Sequence, residues 1–160
     1  MAESSRRAAR PSSKGGLPNL LFAVAAAERP PEVLRGRVDE VRVLFPWGSL
    51  LRGVLALDEV AAGGIAALLA PGGAIRALVS VAERDAATLG VQPLTATNRD
   101  AFARGWTRHG VALTCFEAAS ADVIAATGSS WGRRLTAAGA TRSVWKLELR
   151  RGSERREQAG

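Results

Sequence analysis

Four tryptophans, one histidine and one cysteine set the chemistry open to this sequence. Trp47 stands in Phe45-Pro46-Trp47-Gly48-Ser49 and Trp131 in Ser129-Ser130-Trp131. Between proline and glycine a tight turn seldom needs so large a ring for packing; the packing reading is that the indole seals a helix against a sheet. Two such rings, each in a predicted strand-end loop beside Gly or Ser, read together as stacking plates. A pair of indole faces can clamp a flat base, and a base must leave its stack before its ring can be modified. Trp106 and Trp145 fall inside a predicted helix and strand and read as packing. His109 would have to carry any Ser-His-Asp triad or His/Cys metal cluster unaided, and Cys115 allows neither an intrachain disulfide nor a thiolate zinc site. No metal is expected. Cys115 reads as a buried core thiol and His109 as a helix C-terminal residue.

These side chains sit in a 160-residue chain that is 47% hydrophobic, enough for one folded domain and too much for wholesale disorder. Its 22 Lys+Arg against 15 Asp+Glu give a net charge of +7, and only Lys14 and Lys146 are lysine. A domain that basic points to a polyanion, either nucleic acid or an anionic membrane surface. No apolar run reaches about 18 residues, so no membrane-spanning helix is expected. The polar, basic N-terminus lacks the apolar core of a secretory signal, and a cytoplasmic location is expected.

The elements that must position the two tryptophans follow from periodicity and punctuation. Met1 to Arg10 reads as a helix with no N-cap, followed by a Ser/Gly/Pro loop to Pro18. Asn19 to Ala26 (NLLFAVAA) is a continuous apolar run that suits a strand buried on both faces. Pro30-Pro31 opens a short helix ending near Gly36. Asp39 to Phe45 is a second strand, Leu50 to Leu57 a helical turn or more, and Asp58 to Ala70 a helix capped by Asp58. Pro71-Gly72-Gly73 reads as a turn before a third strand, Ala74 to Val81. Glu83 to Thr97 is a linker with weak helical character at Arg84 to Leu89. Asn98 to His109 is an amphipathic helix capped by Asn98 and closed by Gly110. A fourth strand, Val111 to Ala118, precedes a short helix at Ser120 to Ala126. Ser130 caps a helix from Trp131 to Ala137, Arg142 to Arg150 is a fifth strand, and residues 151–160 are a frayed basic tail. The alternation predicts an α/β fold with a mainly parallel sheet of five strands, the last two forming an antiparallel edge pair. Ligands of such sheets bind beyond the carboxyl ends of the strands. Ala27-Glu28, Phe45 to Ser49 and Ser129 to Trp131 fall there.

The runs NLLFAVAAAE, LFPWGSLLRG and SSWGRRL together resemble the aminoglycoside-resistance methyltransferases that modify N1 of adenine 1408 in the decoding site of 16S rRNA. The resemblance covers most of the chain, to about Val144. It implies a Rossmann-like class I fold, S-adenosyl-L-methionine as cofactor, and a monomer acting on 16S rRNA within the small ribosomal subunit, with no membrane partner. It also implies roles. Ala27 and Glu28 would border the cofactor's adenine, and Leu44, Phe45, Pro46, Trp47, Gly48 and Ser49 would line the cofactor and target pocket. Trp47 and Trp131 would sandwich the flipped adenine, with Ser129 and Ser130 in the loop that positions it beside the cofactor. Arg6, Arg7, Arg10, Arg134 and Arg142 would grip rRNA backbone. Adenine N1 carries a free lone pair, so methyl transfer needs no general base, which suits a site without His or Cys. Indole faces can also stabilise the cationic product ring by about 0.5–2 kcal/mol.

The sequence departs from that pattern at its start. A complete class I fold opens with a strand, a G-x-G loop and a second strand ending in an acid that binds the cofactor ribose. Among the 17 glycines no two are separated by one residue. Residues 1–150 are therefore expected to form a partial domain lacking the first two strands, with Met1 an internal methionine of a longer reading frame. The competing expectations are a non-catalytic RNA-binding remnant and a methyltransferase with another target.

Overall fold

The computed structural model describes residues 11–17, 19–81, 83–136 and 143–153. The expected N-terminal helix, with Arg6, Arg7 and Arg10, lies outside them, as does Arg142. The described residues form an α/β fold around a four-stranded mixed sheet, β1 (Val38–Leu44), β2 (Leu69–Val79), β3 (Val111–Ala118) and β4 (Trp145–Arg151), in the order β1-β2-β4-β3. β1 and β2 are parallel, and β4 runs antiparallel to both of its neighbours. The expected antiparallel pair is present, but the reversed strand is inserted between β2 and β3, so β3 is one edge and β1 the other. That arrangement leaves β1, β2 and β3 pointing the same way.

Among the described residues there are six α-helices: α1 (Gly48–Val54), α2 (Glu59–Leu68), α3 (Glu83–Leu89), α4 (Arg99–Thr107), α5 (Ala121–Ala125) and α6 (Ser130–Thr136). Period-2 alternation sorts the strand side chains between two faces. Val43, Ile75, Ala77, Val79, Leu147 and Leu149 turn to one face and join Leu51, Val54, Ile65, Phe102 and Trp106 of the helices in the main core. The other face carries Glu40, Arg42, Arg76, Lys146 and Glu148. A second, smaller cluster of Leu78, Ile124, Leu135 and Val144 seats α5 and α6.

Local chemistry explains most boundaries. The Asp58 carboxylate accepts the N–H groups of Val60 (3.1 Å) and Ala61 (3.0 Å), the N-cap expected of it. Gly110, at φ 71°, follows α4 as the left-handed residue its glycine permits. Asn98 does not cap α4: its Oδ1 accepts the Thr95 N–H at 3.1 Å, because a 3-10 turn over Ala96–Asn98 uses it first. Pro71-Gly72-Gly73 is not a turn between elements. It lies within β2, where the register against β1 shifts between Val38 and Glu40. Gly72 sits at φ 76°, and a Cβ on Gly73 would lie 2.8 Å from the Val38 carbonyl oxygen, so two glycines make a bulge where a turn was expected. The helix expected from Pro30 is a single 3-10 turn, Glu32–Leu34.

The main correction is at Asn19 to Ala26, which is no strand. It is irregular chain ending in an isolated bridge between Ala26 and Arg29, with Leu21 89% and Val24 85% exposed. An apolar run becomes a buried parallel strand only if a neighbouring edge takes its ladder bonds, and no strand of the described residues lies beside it. Cys115 also departs from expectation. Register slips between Leu113 and Cys115 and places the thiol half-buried beside Glu117 and Lys146, outside the core, where burial pushes its pKa up.

Candidate functional site

β1 ends at Leu44 and the chain turns through Phe45, which has φ 51°, into Pro46 and Trp47. Phe45 keeps one ladder bond, its N–H donating to Leu78 O at 2.8 Å, while its side chain packs on the cluster of Leu78, Ile124, Leu135 and Val144. Pro46 is buried. Trp47 occupies the N-cap position of α1 in extended conformation and is 68% exposed. An indole at a helix start, with its ring in solvent at a strand's carboxyl end, is not packing, and the alternative of a sealed helix is answered.

Trp131 lies in the first turn of α6 and is 40% exposed. Ser129, and not Ser130, supplies the cap: its Oγ accepts the N–H groups of Trp131 (3.2 Å) and Gly132 (3.4 Å). Ser129 N–H in turn donates to Thr127 Oγ1 at 3.2 Å, and Thr127 Oγ1 donates to Ile124 O at 2.7 Å. A Cβ on Gly132 would lie 3.0 Å from Thr127 Oγ1 and 3.1 Å from Ile124 O, so glycine lets α6 close on the end of α5. Ser130 is exposed. The Arg134 guanidinium lies 5.9 Å from the centroid of the Trp131 ring, within reach of a cation–π contact.

Thus Leu44 to Ser49 and Ser129 to Trp131 share one corner of the fold, joined through Phe45 and the small cluster. Ala27 and Glu28 are held elsewhere. They form the two-residue turn closed by the Ala26–Arg29 bridge, and the turn rests on α2, where a Cβ on Gly64 would meet the Ala27 carbonyl oxygen.

Sequence reasoning missed the groove beside this corner. About 250 Å³ opens between α5 and the charged sheet face, lined by Leu44, Leu78, Val123, Thr127, Arg42 and Lys146 among others. Its charges are paired. Glu40 meets both Arg42 and Arg76, and the Arg42 contact holds its carboxyl below the usual range. Lys146 lies 3.2 Å from Glu117 and 3.3 Å from Glu148; these bonds raise the ammonium pKa, and the Lys146 bond lowers that of Glu117. The alternating charges at Arg42, Lys146 and Glu148 were visible in the sequence. What was not visible is that no helix of the described residues covers their face beyond α5 and α6. Among the described residues no three His, Cys, Asp or Glu side chains gather into a metal site, and no helix is long and apolar enough to cross a membrane.

Comparison with known proteins places the chain. A family profile described as NpmA: 16S rRNA (adenine(1408)-N(1))-methyltransferase matches residues 1–150. A 16S rRNA (adenine(1408)-N(1))-methyltransferase of Streptoalloteichus hindustanus is 37% identical over 139 residues, covering 84% of this chain and 64% of that protein. A crystal structure of a mutant of the 16S rRNA (adenine(1408)-N(1))-methyltransferase from Catenulisporales acidiphilia, with cosubstrate SAM, superposes with a TM-score of 0.82 at 31% identity, over 97% of this chain and 71% of that one. The 16S rRNA methyltransferase KamB superposes at 0.79 with 33% identity, over 95% and 72%. The chain therefore spans about two thirds of the length of the relatives it matches. On the profile match and these identities, it belongs to the 16S rRNA (adenine(1408)-N(1))-methyltransferase family.

Proposed function

We propose that this chain is the base-holding and RNA-docking part of a Rossmann-like class I methyltransferase that modifies N1 of adenine 1408 in 16S rRNA, giving aminoglycoside resistance or self-protection. The observation that carries the reading is the pair of exposed indoles, Trp47 after the carboxyl end of β1 and Trp131 in the first turn of α6, whose segments are linked through the cluster that Phe45 and Leu135 share. Two faces so placed can hold an extruded adenine, while Ser129 fixes the helix start that presents one of them. Arg134, with Arg6, Arg7, Arg10 and Arg142, would contact phosphates, which position the substrate without reading its sequence. The protein would act as a monomer in the cytoplasm.

S-adenosyl-L-methionine, the cofactor named for a solved relative, would supply the methyl group. The residues present fit one wall of its site, Leu44 to Ser49, and Ser129 to Trp131 would border it. Ala27 and Glu28 fit less well, being held on α2. No G-x-G turn is available in the sequence to approach the cofactor closely.

The reading therefore includes a continuation of the sheet beyond β1. Because Phe45 N–H bonds to β2, alternation along a parallel ladder sends the N–H and C=O groups of Leu44, Arg42 and Glu40 outward from the open edge. That edge can accept a parallel strand, and the exposed run at Asn19 to Ala26 can pair with the next one. These features support a partial domain of residues 1–150 that gains its cofactor half from further sequence. They equally support the second reading, a non-catalytic RNA-binding remnant. Primer extension across the decoding site, in cells expressing an upstream-extended form, tests the first: a block at adenine 1408 that Trp47→Ala or Trp131→Ala abolishes is expected, and full activity in either variant overturns the stacking role. Calorimetry of the 160-residue protein with S-adenosylmethionine tests the second, since micromolar binding would exclude the remnant.

A further inference from the structure

We propose that Phe45 is a positioning residue that locks the two tryptophan-bearing loops into a single arrangement; this rests on the stacking role given above to Trp47 and Trp131. Phe45 is one of two non-glycine residues at positive φ among the described residues, the other being Ala56 at φ 53°. Ala56 has a local reason for its geometry, since it ends α1 and turns the chain toward the Asp58 cap. Phe45 has none: a bulky side chain in the left-handed region is costly and persists only where its surroundings over-determine it. Here they do so from two directions. The backbone is tied to β2 by the bond to Leu78 O. The side chain packs on the cluster of Leu78, Val144, Ile124 of α5 and Leu135 of α6. Pro46, which is buried, favours extended backbone at the residue before it, so these two ties hold Phe45 against that preference as well.

The left-handed turn is what allows the ring to fold back onto α5 and α6 while the chain continues outward to Trp47. On the other side, Leu135 lies four residues after Trp131 on α6, and Ile124 O anchors the Thr127–Ser129 hydrogen-bond relay that starts that helix. One side chain thus packs on the cluster in which both supports meet, and a shift of either tryptophan is transmitted to the other through it.

Fluorine NMR of the 160-residue protein labelled with 5-fluorotryptophan reads this directly, with signals assigned by single substitutions. Phe45→Ala is expected to move and broaden the Trp47 and Trp131 signals together, leaving Trp106 unmoved. Phe45→Leu, which restores an anchor, should return most of both. Phe45→Gly separates backbone from side chain: it accepts the left-handed geometry but has no ring, and should behave as Phe45→Ala. Leu135→Ala, approached from α6, should move the Trp47 signal, and serves if the Phe45 variants do not fold. An unmoved Trp131 signal in Phe45→Ala, or native signals in Phe45→Gly, would overturn the proposal. A decoding-site RNA hairpin with 2-aminopurine at the target position gives the functional readout. Its quenching should fall in Phe45→Ala and recover in Phe45→Leu. If Trp47→Ala and Trp131→Ala leave that quenching intact while the fluorine signals stay coupled, the stacking role fails and the mechanical link stands.

Discussion

The helix-covered face of the sheet and the rim at its carboxyl end treat the same side chain in opposite ways. Trp106 on α4 is 0% exposed, and its Nε1–H donates to Val54 O at 3.0 Å, tying α4 to α1 across 52 residues of chain. Its ring fills the main core beside Leu51 and Phe102, and its one polar atom is satisfied. Trp47 sits at the other end of α1, solvated. Both residues lie on or beside helices of ordinary composition, so residue type does not separate them. The separation comes from punctuation. Trp106 falls within an unbroken helical period that repeats Phe102 four residues earlier, whereas Trp47 is bracketed by proline and glycine. An indole inside a periodic element builds the core, and one held by turn residues is displayed.

The first way to break this contrast is to truncate both rings. Trp106→Ala removes a fully buried indole and orphans the Val54 carbonyl, so a loss of about 3–5 kcal/mol is expected, enough to unfold a marginal domain. Trp47→Ala should stay within about 0.5 kcal/mol of the parent, while losing the RNA base stacking. Urea denaturation of the two variants checks this. A Trp47→Ala protein as damaged as Trp106→Ala would mean that the rim indole is core after all.

The contrast also explains what could be read in advance. Val111–Ala118, the Asp58 cap and the buried Trp106 depend on short-range signals: alternation, a capping side chain, a helical repeat. The two exposed tryptophans were legible for the same reason, because local punctuation marks them: proline and glycine around Trp47, two serines and a glycine around Trp131. Asn19 to Ala26 was misread because its composition specifies a strand but its partner edge is a long-range condition. Pro71-Gly72-Gly73 was misread because a bulge and a turn use the same residues, and only the register against Val38 distinguishes them. The positive φ of Phe45 carried no signal, since it goes with packing on the cluster of Leu78, Ile124, Leu135 and Val144 that sequence spacing does not reveal.

A middle-sized effect comes from the caps. Asp58→Ala frees two N–H groups at the start of α2, and Ser129→Ala does the same at α6, each costing about 1 kcal/mol. The two should differ in consequence. Asp58 supports the core side, and its loss should lower the melting temperature with RNA binding per folded molecule unchanged. Ser129 holds Trp131, so its loss should weaken 2-aminopurine quenching beyond what the stability change accounts for. Equal quenching in the two variants would detach Ser129 from the site.

The smallest effect tests the charged face itself. Glu40 and Glu117 have carboxyl pKa values lowered mainly by hydrogen bonds from Arg42 and Lys146 respectively, and Lys146 is raised by Glu117 and Glu148. A carboxyl lowered on folding stabilises the fold above its unfolded value, about pH 4.3 for Glu, and that contribution disappears as pH falls through the lowered value. An ammonium raised on folding contributes below its unfolded value, about pH 10.4 for Lys, and is lost as pH rises through the raised one. The face should therefore give a shallow plateau in melting temperature between those limits, flattened by salt because the pairs are exposed. Glu40→Gln should remove part of the acid limb and leave the alkaline limb in place, and Lys146→Met should remove the alkaline limb together with the part of the acid limb that depends on Glu117. If both variants keep the parent's acid limb, the groups that titrate lie elsewhere, and the open face is then held by its strand ladder and by Leu78 beneath α5 and α6, with its charges serving only to keep water on that side.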